Sequence, residues 1–109
     1  MSEKTNVIVN YYNHPGSTYF GKKCNEKHFV NKKLHREDGP AYTTWYGNGD
    51  IAFESYYING ILHRSDGPAH TQYNPNSIVV NQRYWFNGEQ ITVNSLEEFK
   101  RFVKLLMFK

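Results

Sequence analysis

Apolar and polar positions alternate along most of the chain in short runs separated by turn residues. Over Tyr42–Tyr46, Ile51–Ile58 and Ile78–Phe86, aromatic and β-branched residues are interleaved with Thr, Glu, Asn and Gln. A period of two marks strands with one face more buried than the other. The pattern predicts strands near 6–12, 27–30, 33–36, 40–46, 51–58, 61–64, 69–73, 78–86 and 89–92. After Asn94 the period changes. Phe99, Phe102, Val103 and Leu106 follow helical spacing behind Ser95 and Glu98, which are placed as a capping box, so a helix is predicted over 96–107. The expected fold is mainly β: an antiparallel meander of short hairpins with one C-terminal helix packed on the sheet.

The alternation is itself repeated. Residues 28–41 (HFVNKKLHREDGPA) align with 56–69 (YYINGILHRSDGPA) at a spacing of 28, and YWFNGEQI from Tyr84 begins a third copy that stops before the signature. A weaker half-copy aligns Tyr19, Phe20 and Gly21 with Trp45, Tyr46 and Gly47. Self-similarity at such a period marks repeat architectures with atypical end units. The chain therefore divides, within a single domain over 1–109, into an N-terminal strand and degenerate cap (1–26), repeat 1 (27–54), repeat 2 (55–82), a partial repeat 3 (83–92) and the C-terminal helix (95–108).

Each unit brings its own turns. Asn59-Gly60 and Asn87-Gly88 supply the two positive φ angles of a type I′ hairpin, and Asn31-Lys32 is a poorer version of the same turn. Asp38-Gly39-Pro40 and Asp66-Gly67-Pro68 form a second turn, in which Asp can bond the local backbone, Gly tolerates a left-handed conformation and Pro blocks further ladder donation.

The paired signatures LHREDGPA and LHRSDGPA, each led by an aromatic or apolar pair and an Asn-x turn, resemble the MORN-variant repeats of phage and giant-virus proteins. The resemblance covers roughly residues 19–108, and SLEEFKRFVKLLMF looks like the helical ending of those proteins. It departs from the pattern at Asn31-Lys32 and at the truncated third copy. The resemblance implies a small protein made during infection that binds and blocks a host defence protein, or an antitoxin-like partner of a toxin.

Composition narrows the chemistry. Aromatics are 17% of the chain while Leu, Ile and Val are sparse, so rings must supply much of the buried surface. The net charge is only +3 and no run of five basic residues occurs, which argues against a dedicated nucleic-acid arm. Cys24 is the single cysteine, so no internal disulfide forms and a reducing, cytoplasmic setting is expected. No signal peptide or membrane span is visible, and no membrane insertion is expected.

His35, Arg36, Asp38 and Gly39, with His63, Arg64, Asp66 and Gly67, first look catalytic. Their duplication argues for turn architecture instead, with Arg and Asp paired locally across each turn. No catalytic residue, metal site or cofactor is expected: the five His show no paired ligand spacing, and no phosphate-binding Gly-rich sequence is present. The candidate partner-binding residues are those that break the repeat or carry surplus rings: Lys22, Lys23, Trp45, Tyr57, His70, Arg83 and Trp85. They point to a non-enzymatic protein-binding surface. Rings stacking on single-stranded nucleic acid are the alternative, and sheet edges are candidate contacts for a homo-oligomer.

Overall fold

The computed structural model describes residues 3–107, so the predicted end of the helix at 108 lies outside the described residues. Ten strands and one helix follow in chain order. They are β1 (Thr5–Tyr11), β2 (Lys23–Val30), β3 (Lys33–Leu34), β4 (Tyr42–Trp45), β5 (Ile51–Ser55), β6 (Tyr57–Ile58), β7 (Ile61–Leu62), β8 (His70–Tyr73), β9 (Val79–Phe86), β10 (Glu89–Ile91) and α1 (Leu96–Met107). The main sheet is an antiparallel meander in the order β1-β2-β4-β5-β8-β9-β10, with β3 paired on β2 and a separate β6-β7 hairpin.

Three hairpin tips lie beside one another at one end of this meander. Asn31-Lys32, Asn59-Gly60 and Asn87-Gly88 all have the two positive φ angles expected of type I′ turns, 51° and 68°, 51° and 80°, 49° and 82°. Each later tip is tied to the preceding unit: Gly60 N–H donates to Leu34 C=O and Gly88 N–H to Leu62 C=O, at 2.7 and 2.9 Å. Likewise Arg36 N–H donates to Tyr57 C=O and Arg64 N–H to Trp85 C=O. These bonds explain why the signature strands are shorter than predicted. His35 N–H and His63 N–H still donate within their own hairpins, to His28 C=O and Tyr56 C=O, and the backbone meets the next hairpin only at Arg36 and Arg64.

Two other boundaries differ from the sequence pattern. The predicted strand 51–58 is split at Tyr56 into β5 and β6, although Tyr56 N–H still donates to Ala69 C=O in the β5–β8 register. Conversely, β2 begins at Lys23 rather than 27. Within its polar start, Lys23-Cys24-Asn25-Glu26, Lys23 pairs with Tyr11 of β1, and Asn25 and Glu26 are paired on both sides, Asn25 opposite both Asn10 and Thr44. Ladder bonds from two neighbours outweigh a composition that does not read as strand.

At the opposite end of the strands, Tyr46 and Asn74 open short loops through matching bonds, Tyr46 N–H to Asp50 C=O and Asn74 N–H to Ile78 C=O. In the first unit the corresponding bond is Tyr12 N–H to Lys22 C=O. The Tyr12 hydroxyl donates to Trp45 C=O and the Tyr46 hydroxyl to Tyr73 C=O, each at 2.6 Å. Hydrogen bonding thus matches Tyr46 with Tyr12, not with Phe20 as the sequence alignment expects. The extra residues of that first loop carry Tyr19, whose ring closes over Gly47.

The molecule is thin. Its extents are 56 × 42 × 17 Å and its radius of gyration is 16.0 Å, against about 13 Å for a globular chain of this length. The accessible surface of 7575 Å² exceeds the roughly 6300 Å² that mass scaling gives. Among the described residues the buried apolar side chains are Ala41, Ala69, Phe99 and Val103. The helix supplies two of them and covers only the β9–β10 end, where Phe99 packs on Tyr84 at 4.7 Å between ring centroids. Ser95 caps its start as predicted, its hydroxyl accepting from Glu98 N–H, but the Glu98 carboxylate accepts from Asn94 N–H and not from Ser95 N–H as the expected reciprocal box would.

Candidate interaction surface

The signature residues are consumed by the fold. Arg36 Nε donates to Asp38 and Arg64 Nε to Asp66, both at 2.9 Å, and each Nη1 donates to the carbonyl of Pro40 or Pro68. The Arg36 guanidinium holds the Asp38 carboxyl below its ordinary range. Gly39 and Gly67 do not use the left-handed conformation that glycine tolerates. They are required because a Cβ would meet the folded-back guanidinium at 3.1 Å on Gly39 and 3.0 Å on Gly67. His35 Nδ1 accepts from Asn59 N–H and His63 Nδ1 from Asn87 N–H, both at 2.9 Å. Each histidine thus anchors the next hairpin tip.

Between the two signature turns lies an open groove of about 580 Å³ lined by Arg36, Asp38, Tyr56, His63, Arg64 and Asp66. Arg64 stacks on the Tyr56 ring at 4.0 Å. Both guanidinium groups already face a carboxylate, so the groove offers no spare cation to an anionic ligand. In the first unit His28 takes the place of Tyr56. Its Nε2 is 2.7 Å from Glu26 and 3.1 Å from Arg36 Nη1. One nitrogen cannot serve a carboxylate and a guanidinium at once, and the shorter contact puts its proton toward Glu26. That bond, with burial opposing it and Lys23 assisting, lowers the Glu26 carboxyl.

The less committed surface lies on one sheet face. Register places Lys27 opposite Tyr42, Tyr42 opposite Ser55, Ser55 opposite His70 and His70 opposite Arg83, a single row crossing β2, β4, β5, β8 and β9. Lys27 Nζ lies 5.0 Å from the Tyr42 ring centre. Phe53 bridges Tyr42 and His70, with centroids 5.1 and 5.5 Å away. Burial first, and the Tyr42 hydroxyl second, raise the pKa of the Tyr57 hydroxyl on the separate β6–β7 hairpin. Trp85, two positions beyond Arg83 on β9, shares its face by strand alternation. The rings are half-buried, Arg83 is exposed, and the helix lies elsewhere.

Ser55 and His70 resemble a nucleophile and its base, with Oγ and Nδ1 2.6 Å apart. The serine is only 3% exposed, so its oxygen is out of a substrate's reach and the bond fixes the imidazole. Burial first, and Arg83 second, lower the His70 pKa, so the ring is neutral at pH 7. Among the described residues no three His, Cys, Asp or Glu side chains converge as metal ligands.

Of the partner residues expected from the sequence, His70, Arg83 and Trp85 share this face, and Tyr57 lies on the separate β6–β7 hairpin. Lys23 and Trp45 form a second pair at the other end of the strands, with Lys23 Nζ 5.4 Å from the Trp45 ring centre. Lys23 also bonds Glu26 at 3.2 Å, and Lys22 is exposed beside it. Lys27, Tyr42 and Phe53 were not selected. For Lys27 and Tyr42 a signal was available in the spacing of the chain, because Lys27, Ser55 and Arg83 lie 28 residues apart, as do Tyr42 and His70, and all five become neighbours once the strands are in register. The chain matches no protein-family model, no curated protein and no solved structure.

Proposed function

We propose that this chain is a non-enzymatic, repeat-built interaction module of the MORN-variant kind, a viral protein that acts in the host cytoplasm by binding and inhibiting a host defence protein. The observation that carries the binding role is the row Lys27, Tyr42, Phe53, His70 and Arg83, a band of half-buried rings closed at both ends by cations. Aromatic and arginine side chains on a face without its own cover are what protein interfaces use as anchors. The commitment of the signature His, Arg and Asp to turns supports a non-catalytic reading. The described residues form no helix long and apolar enough to cross a membrane.

The test is capture from lysates of candidate hosts with the wild-type chain and with Lys27→Glu/Arg83→Glu. Stoichiometric capture of one protein by the wild type, weakened at least about tenfold in a double variant of unchanged circular dichroism, is expected for two reversed charges at an interface. Undiminished capture by the double variant, or no capture by the wild type, overturns the proposal.

A single-stranded nucleic acid is the second reading, favoured by rings set in line between two cations. Anisotropy of short labelled oligonucleotides separates the two, because stacking with phosphate contact binds most tightly at low ionic strength and weakens as salt is added. Absence of binding at low salt eliminates this reading.

A further inference from the structure

The first strand ends the main sheet. Asn31 N–H donates to Lys4 C=O and Tyr12 N–H to Lys22 C=O, so even-numbered positions turn their backbone groups toward β2. Alternation directs those of Thr5, Val7, Val9 and Tyr11 to the outer side. Among the described residues no strand pairs with that side.

Edges of this kind are normally blunted by charge, proline or a bulge. From Thr5 to Tyr11 the strand has no charged residue and no proline, and the register shift near Asn10 places its extra residue, Cys24, on β2. Val7 and Ile8 are 56% and 47% exposed. The other end of the sheet is different, since β10 has only three residues and α1 packs beside it.

The sequence of this edge reads the same in both directions: Asn6-Val7-Ile8-Val9-Asn10 is a palindrome about Ile8. An antiparallel partner related by a two-fold axis through Ile8 sets Ile8 against Ile8, Val7 against Val9, Asn6 against Asn10 and Thr5 against Tyr11. Parity agrees with this register. The backbone groups of Ile8 face β2, so the axis passes through a non-hydrogen-bonded pair, and the flanking Val7/Val9 and Thr5/Tyr11 pairs exchange about eight hydrogen bonds. Moving the axis to Val7 or Val9 sets Ile8 against asparagine.

We propose that a second copy of this chain occupies the edge, joining two sheets into one through a β1–β1 pair. The contact is isologous and uses each copy's long edge once, so it closes at a dimer and does not propagate into a filament.

Sedimentation equilibrium of the full chain tests this. The wild type is expected at twice the chain mass. Ile8→Lys and Ile8→Glu, each placing like charges across the axis, are expected to raise the dimer dissociation constant more than about tenfold while retaining wild-type circular dichroism. An equimolar mixture of the two restores the dimer mass. In a Cys24→Ser background, Ile8→Cys oxidises to a covalent dimer, because a non-hydrogen-bonded pair holds its Cα atoms about 4.5 Å apart, whereas Val7→Cys does not. A monomeric wild type, a dimer indifferent to Ile8→Lys, or equal cross-linking at positions 7 and 8 overturns the proposal.

Discussion

Lys32 stands where the later hairpins have glycine and holds a φ of 68°. A side chain in that region costs roughly 1–2 kcal/mol, part of which glycine's greater freedom in the unfolded chain offsets. Lys32→Gly is therefore expected to stabilise the protein by up to about 1 kcal/mol, read as a higher urea midpoint with unchanged slope. Gly67→Ala should do the opposite, since its methyl group would displace the Arg64 guanidinium from Asp66 and Pro68. A loss of about 1–3 kcal/mol in the same measurement is expected for a charge-assisted bond lost at a half-buried site. The pair also shows what was legible at this scale. Asn-Gly turns are written in adjacent residues, and both have the positive φ angles that the sequence predicts. The reason for Gly39 and Gly67 is a guanidinium folding back from three residues upstream, which residue type alone does not disclose.

Neighbouring elements are joined largely by hydrogen bonds from one unit to the next. His63 must be unprotonated at Nδ1 to accept Asn87 N–H, and burial lowers its pKa below the ordinary 6.5. A lowered folded pKa means that the unfolded chain takes up protons first, so the contribution is complete above about pH 6.5 and is lost as pH falls toward the folded value. His70 acts in the same direction. Melting temperature should therefore drop on acidification from pH 7.5 to 5. His70→Tyr, which copies the residue of the preceding unit, should remove part of that slope, and an equal slope in the variant would count against this assignment.

Of the two helix side chains that are buried among the described residues, Phe99 is the larger. Phe99 is completely buried, and Phe99→Ala is expected to cost about 3–5 kcal/mol. Far-ultraviolet circular dichroism should show helical signal melting ahead of the sheet. The helical period and cap made this element legible from sequence. The polar start of β2 was not, because its two-sided pairing comes from residues distant in the chain.

For the molecule as a whole, the meander followed from alternation and turn spacing, but the interaction surface did not. Positions 27, 42, 55, 70 and 83 could each be compared between copies, yet that they form one line depends on strand register. The thinness of the sheet was foreshadowed by a chain rich in rings and poor in Leu, Ile and Val.

That 17 Å thickness has a calorimetric consequence. Heat capacity rises on unfolding in proportion to the apolar surface newly wetted and falls with the polar surface. An ordinary chain of this length gains about 1.3–1.6 kcal/mol/K. A slab with few enclosed aliphatic groups and many backbone and hydroxyl bonds should gain less than about 1.2 kcal/mol/K in differential scanning calorimetry. Its free energy of unfolding would then vary gently with temperature, giving a shallow dome and cold denaturation displaced far below freezing. A measured gain of about 1.6 kcal/mol/K or more would mean that far more apolar surface leaves water than this sheet encloses.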